Sequence, residues 1–116
     1  MANTPGGLTP FFEPKSVAII GASGAPGKAG HELIRNVLAN GFPGRIHPVN
    51  PKGGEILGLP VSTSIAGLPD GVDLGLVVLP AEATPGAVRD CAARGIRHVV
   101  LMAGGFAEVD EAGAQI

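Results

Sequence analysis

The sequence predicts an α/β fold: a doubly wound parallel sheet in three layers, forming a single domain. Three observations predict it. Short runs at 16–20, 72–79 and 98–102 are apolar almost throughout, as strands buried on both faces of a parallel sheet must be. Between them lie segments with apolar residues at helical spacing. The 19 glycines and 11 prolines form no repeat and stand at the boundaries of these segments, as turns of a tightly connected fold do.

The elements follow in order. Residues 1–10 read as a flexible lead-in and 11–116 as the domain, with Phe11 and Phe12 expected to pack on its body. Residues 16–20 form the first strand. A helix is expected over 27–40, with Leu33, Ile34, Val37 and Leu38 on one face and Gly41 as its stop. The second strand is 45–49 and ends at Asn50-Pro51-Lys52-Gly53-Gly54. Residues 59–62 suggest a short third strand and 63–68 a helical turn. The run 72–79 is the next buried strand, stopped by Pro80. Thr84 is expected as an N-cap with Pro85 in the first turn, and the helix runs to Arg94, with Gly95 after it. Residues 98–102 are the last strand, ending at Ala103-Gly104-Gly105. A final helix is expected from near Val109, running past Ile116 as in an N-terminal fragment of a longer protein.

This strand–helix alternation implies a Rossmann-like sheet, whose ligands lie outside the carboxyl ends of the strands. Four loops fall there: 21–27, 50–54, 80–84 and 103–105. The first is the most informative. A buried strand runs into Gly21, Gly24 and Gly27, and a helix follows, so backbone amides and a helix dipole face a phosphate. A tight turn without ligand has the same spacing. Ser23 adds a hydroxyl donor, and Lys28 is either a phosphate partner or a solvated lysine. At the end of strand two an NAD site usually has a carboxylate for the ribose hydroxyls. Lys52 stands in that region instead and would attract a phosphorylated ribose. That argues against NAD and leaves NADP and coenzyme A, which both carry an extra phosphate.

Composition narrows the function. Net charge is −2, tryptophan and tyrosine are absent, and no basic stripe exists, which speaks against a nucleic-acid partner. No apolar stretch approaches the ~20 residues of a membrane span. The first residues lack the pattern of a signal peptide, and the single cysteine, Cys91, fits a cytoplasmic protein. Cys91 shares a predicted helical face with Val88 and Ala92 and reads as a buried small residue. His31, His47 and His98 are scattered without metal-ligand spacing. Without tyrosine, a Tyr/Lys hydride-transfer site has no proton donor. Glu108 reads as a first-turn helix carboxylate. No catalytic or metal-binding residue is assigned.

The ordered motifs resemble one family. Phe11-Phe12-Glu13-Pro14-Lys15-Ser16-Val17-Ala18-Ile19-Ile20-Gly21-Ala22-Ser23 is similar to the opening of the NDP-forming acyl-CoA synthetases, which include ADP-forming acetyl-CoA synthetase and are related to the succinyl-CoA synthetase alpha subunit. The likeness continues through Gly41-Phe42-Pro43-Gly44-Arg45-Ile46-His47-Pro48-Val49-Asn50-Pro51-Lys52, Ile56-Leu57-Gly58-Leu59-Pro60-Val61 and Val72-Asp73-Leu74. It ends at Ala103-Gly104-Gly105-Phe106-Ala107-Glu108. Two departures are the missing aromatic residue near Val61 and Met102 where the family often has serine.

The resemblance implies a coenzyme A-binding domain. Gly21, Ala22, Ser23, Gly24 and Gly27 would hold the phosphates. Asn50 and Lys52 would meet the phosphorylated ADP end, with Pro80 and its neighbours Leu79 and Ala81 beside the adenine. Ala103 and Gly104, after Met102, would follow the pantetheine. It also implies downstream phosphohistidine and ATP-grasp domains, or a subunit carrying them, for joining a carboxylic acid to CoA. A stand-alone or regulatory coenzyme A-binding protein and an NADP-binding oxidoreductase domain are the other readings.

Overall fold

Strand β1 (Ser16–Ile20) lies at the centre of the sheet because both its faces are apolar. In the computed structural model, which describes residues 14–102, it pairs in parallel with β2 (Arg45–Val49) on one side and β5 (Leu74–Val77) on the other. β6 (His98–Leu101) pairs in parallel with β5, giving the order β2-β1-β5-β6. The two-residue period of the strand sorts the core. Val17 and Ile19 pack with Ile34, Ile46 and Leu74 on one face, and Ala18 and Ile20 pack with Val77, Ala87 and Cys91 on the other. β2 carries Pro48, tolerated because β2 is an edge strand and the missing amide is not needed for pairing with β1.

Helix α1 (Ala29–Ala39) covers the first face through Ile34, which is fully buried. It begins two residues later than the spacing predicts, because Gly27 has φ +93° and cannot join a right-handed helix. Its end follows the sequence. Gly41 takes φ +74°, its amide donates to Leu38 O, and the Phe42 amide donates to Val37 O. Those two bonds make a Schellman motif, with Phe42 and Val37 both packed against the core. Leu38, expected on the buried face, is 40% exposed.

The expected third strand takes a different form. Leu59–Pro60 (β4) pairs antiparallel with Glu55–Ile56 (β3) in a small hairpin outside the main sheet. Leu57 and Gly58 both have positive φ, as a two-residue type I′ turn requires, and this folds the chain back locally. Of the expected strand, Ser62 pairs with β2, as a single parallel bridge to Val49. A 3₁₀ turn, Ile65–Gly67, follows, capped by Ser64 Oγ accepting from the Gly67 amide at 3.2 Å. Ile65, Leu68 and Val72 enter the second core face.

Helix α2 (Thr84–Ala93) covers that second face through Ala87 and Cys91. Thr84 is its first residue rather than its cap. A 3₁₀ turn, Ala81–Ala83, precedes it, and Thr84 Oγ1 donates to Pro80 O at 3.2 Å. Cys91 shares its buried face with Ala87, while Val88 and Ala92 face outward, contrary to the predicted grouping. At the far end, Arg94 donates from Nε and Nη2 to Leu68 O at 3.0 and 2.6 Å and pairs with Asp70. The lead-in, Phe11, Phe12 and the expected final helix lie outside the described residues.

Two substitutions test this packing. A Cβ on Gly30 would stand 2.0 Å from Gly21 O. Gly30→Ala is therefore expected to lower unfolding stability by about 1–3 kcal/mol, although alanine is the better helix former. Leu57→Asn is expected to raise stability by about 0.5–1 kcal/mol, since Leu57 is exposed and held at φ +51°. Chemical denaturation measures both.

Candidate functional site

The candidate site lies where β1 and β5 end side by side and the chain leaves toward opposite faces, the switch point of a doubly wound sheet. Gly21 has φ +100°, and a Cβ there would stand 2.1 Å from Val78 O, so the loop after β1 lies against the loop after β5 with no side chain between. The amides of Gly21 and Ala22 both donate to Val49 O at 3.2 Å, which binds the glycine loop to the end of β2 as well. The Val78 amide donates to Ile20 O and the Met102 amide to Val77 O. The carboxyl ends are thus joined across all four strands.

The sequence-predicted residues fall here as follows. Ala22 is buried and offers its carbonyl to Asn50 Nδ2 at 2.7 Å. Ser23 Oγ accepts from the Ala25 amide at 3.0 Å and keeps its hydroxyl proton for another acceptor. Among the described residues, the amides of Ser23 and Gly24, and of Ala29 and Gly30 at the start of α1, have no acceptor. Gly24 is backed by Ile56 of the β3–β4 hairpin, an element the motifs did not assign to the site. Gly27 donates to Glu32 Oε2 at 3.0 Å. Lys28 is the N-cap residue and makes no side-chain cap bond.

Asn50 and Lys52 share one turn. Gly53 N donates to Asn50 O at 2.9 Å, and the Lys52 amide donates to Asn50 Oδ1 at 2.7 Å. Asn50 therefore links the glycine loop to the turn, and Lys52 stands exposed at its tip with no ion-pair partner among the described residues. Pro80 is exposed beyond β5, and its carbonyl accepts from the Ala83 amide. Ala103, Gly104 and Glu108 lie outside the described residues.

Glu32 is the residue that sequence reasoning missed. Its Oε2 takes the Gly27 amide and faces His31 Nδ1 at 3.3 Å, while Oε1 accepts from Arg35 Nε at 3.0 Å and from Nη2. The Arg35 bonds first, then the Gly27 amide, then His31, lower its carboxyl pKa to about 2. A carboxylate in the first turn with arginine three residues on was the available signal. Burial lowers the His47 pKa, with Arg45 adding to it. Burial also raises the Cys91 pKa, which keeps this fully buried thiol protonated. Among the described residues no cluster of His, Cys, Asp or Glu is fit to hold a metal, and no helix is long and apolar enough to cross a membrane. A separate cavity of about 210 Å³, lined by Ser64, Ile65, Ala66, Asp90, Ala93 and Arg94, lies along α2.

Comparison with known proteins identifies the family and finds the same fold. A family model described as a CoA binding domain matches residues 15–116. The ADP-forming acetate–CoA ligase II of Archaeoglobus fulgidus is 44% identical over 108 residues, which are 93% of this chain and 16% of that protein. The apo form of the dinucleotide forming acetyl-coenzyme A synthetase 1 of Candidatus Korarchaeum cryptofilum superposes with a TM-score of 0.81 at 35% identity, over 89% of this chain and 22% of that one. A conserved hypothetical protein of Pyrococcus furiosus superposes with a TM-score of 0.72 at 27% identity, over 87% of this chain and 86% of its own. The chain therefore spans less than a quarter of the two enzymes and most of the small protein.

The Glu32 network predicts an acid-pH effect. Its folded pKa lies below the usual 4.5, so its stabilising contribution is complete above 4.5 and lost as pH falls toward about 2. An NMR titration of the Glu32 carboxyl carbon should show a midpoint near 2, and Glu32→Gln should remove this part of the acid dependence of stability. A midpoint at the usual value would contradict the network.

Proposed function

The chain belongs to the CoA-binding domain family, and we infer that coenzyme A lies along the carboxyl edge of its sheet. The observation that carries this reading is the loop after β1. Its Ser23 and Gly24 amides have no acceptor among the described residues, and it stands at the switch point beside the start of α1. Such donors suit the diphosphate of an adenine nucleotide. Lys52, at the tip of the Asn50 turn, suits the 3′-phosphate. Asn50 supports this arrangement by tying the two loops together. Leu79, Pro80 and Ala81 are assigned to the adenine, and Met102, Ala103 and Gly104 to the pantetheine arm.

The activity of the whole protein is part of the same proposal. The likeness to acetate–CoA ligase suggests a parent that joins a carboxylic acid to coenzyme A with cleavage of a nucleoside triphosphate. The domain would bind the thiol substrate. Downstream phosphohistidine and ATP-grasp domains, or a subunit carrying them, would supply the chemistry, in the cytoplasm. A second reading, a stand-alone coenzyme A-binding protein, is favoured by the Pyrococcus furiosus protein, most of whose length this chain matches.

Calorimetric titration with CoA, dephospho-CoA and NADPH tests the ligand assignment. CoA is expected to bind most tightly. Lys52→Ala should weaken CoA by about tenfold to a hundredfold, the equivalent of a charge-assisted contact of about 1.5–3 kcal/mol, and should affect dephospho-CoA much less. Equal loss for both ligands would remove Lys52 from the 3′-phosphate. Binding of NADPH alone would replace coenzyme A as the ligand.

A further inference from the structure

We propose that Glu32 is a positioning residue of the glycine loop: without touching the ligand, its carboxylate holds the Gly27 peptide so that the Ser23 and Gly24 amides stay free for a diphosphate. This rests on reading the loop as the diphosphate site of coenzyme A.

The loop is held firmly at its near end. Gly21 and Ala22 are bonded to Val49 O, and Asn50 grips the Ala22 carbonyl. Its far end is held by a local turn alone, in which the Lys28 amide donates to Ala25 O at 3.1 Å. Gly27 stands at φ +93°, and nothing lies within 4 Å of where its Cβ would be, so packing does not hold this peptide. Lys28, at the N-cap, contributes no side-chain cap bond. The tether is Glu32 Oε2, 3.0 Å from the Gly27 amide. The carboxylate is in turn fixed from two sides, by Arg35 on Oε1 and by His31, whose ring is buried under α1. The Gly27 amide is therefore tied through Glu32 to two further residues of α1, His31 and Arg35.

The alternative is purely electrostatic. A carboxylate beside a diphosphate repels it, so charge alone predicts tighter binding when Glu32 is neutralised. Positioning predicts the opposite sign. Arg35 offsets the carboxylate's charge, which leaves the hydrogen bond to Gly27 as the effect that wins.

The test is calorimetric titration of the 116-residue chain and its Glu32 variants with CoA, together with amide exchange at Gly27 by NMR. Glu32→Ala should lose protection of the Gly27 amide and bind CoA about tenfold more weakly. Glu32→Gln keeps an acceptor oxygen at the amide and should recover most of the affinity. Glu32→Asp keeps the charge but falls short of the amide, so it should resemble Glu32→Ala. It also makes the comparison if Glu32→Ala fails to fold. Equal or tighter binding by Glu32→Ala overturns the inference, as does weaker binding with Gly27 exchange unchanged. Failure of the unsubstituted chain to bind CoA overturns the reading of the site and this inference with it. Normal binding by the unsubstituted chain and undiminished binding by the variants overturn this inference alone.

Discussion

Backbone meets backbone at the carboxyl edge with no side chain between, and the remaining structure is arranged around that contact. A Cβ on Gly21 would collide with Val78 O, and a Cβ on Gly30 would collide with Gly21 O. The loop after β1 is thus enclosed between the loop after β5 and the first turn of α1. Only glycine allows both approaches, and together they set where α1 starts and how far it stands from the sheet. The Ser23 and Gly24 amides, without an acceptor among the described residues, stand at the switch point because the start of the loop is enclosed on both sides.

Polar ties then connect this contact to its surroundings. Asn50 joins the glycine loop to the turn that displays Lys52, using both ends of its amide. The opposite edge of the sheet has its own ties. Asp73 accepts from the Lys15 amide at 2.8 Å, and Arg94 secures the Leu68 carbonyl against α2. Apart from the bond inside the Asn50 turn, each of these joins segments far apart in the chain. They fix relative positions of elements that hydrophobic burial alone would let slide.

The legible parts of the fold were those with local causes. β1 and β2 could be placed to the residue, β1 from its apolar run and both from the turn residues after them. The end of α1 followed from Gly41 at C′ with Phe42 behind it. The hairpin was not legible, because Leu59–Pro60 has the composition of a sheet strand, and the turn that folds it back depends on a leucine at positive φ. Thr84 had the sequence of a cap, yet the 3₁₀ turn before it extended the helical path by one step. In the site, the glycines and Lys52 stood out by type and spacing. Glu32 did not, since a first-turn glutamate is ordinarily a solvated residue.

By itself the sequence determined the alternation of strand and helix, the parallel sheet, the edge at which a ligand is expected and the membership of the motif set in one family. These depend on burial periodicity and turn chemistry, which act between near neighbours. The tertiary structure decided which loop rests on which, that Asn50 reaches Ala22 across 28 positions, and that Glu32 closes on Gly27 while Arg35 and His31 hold it. The Asn50 contact depends on how separate segments come to rest against one another, and the Glu32 contacts depend on the exact path of the loop into α1, which residue types alone do not set.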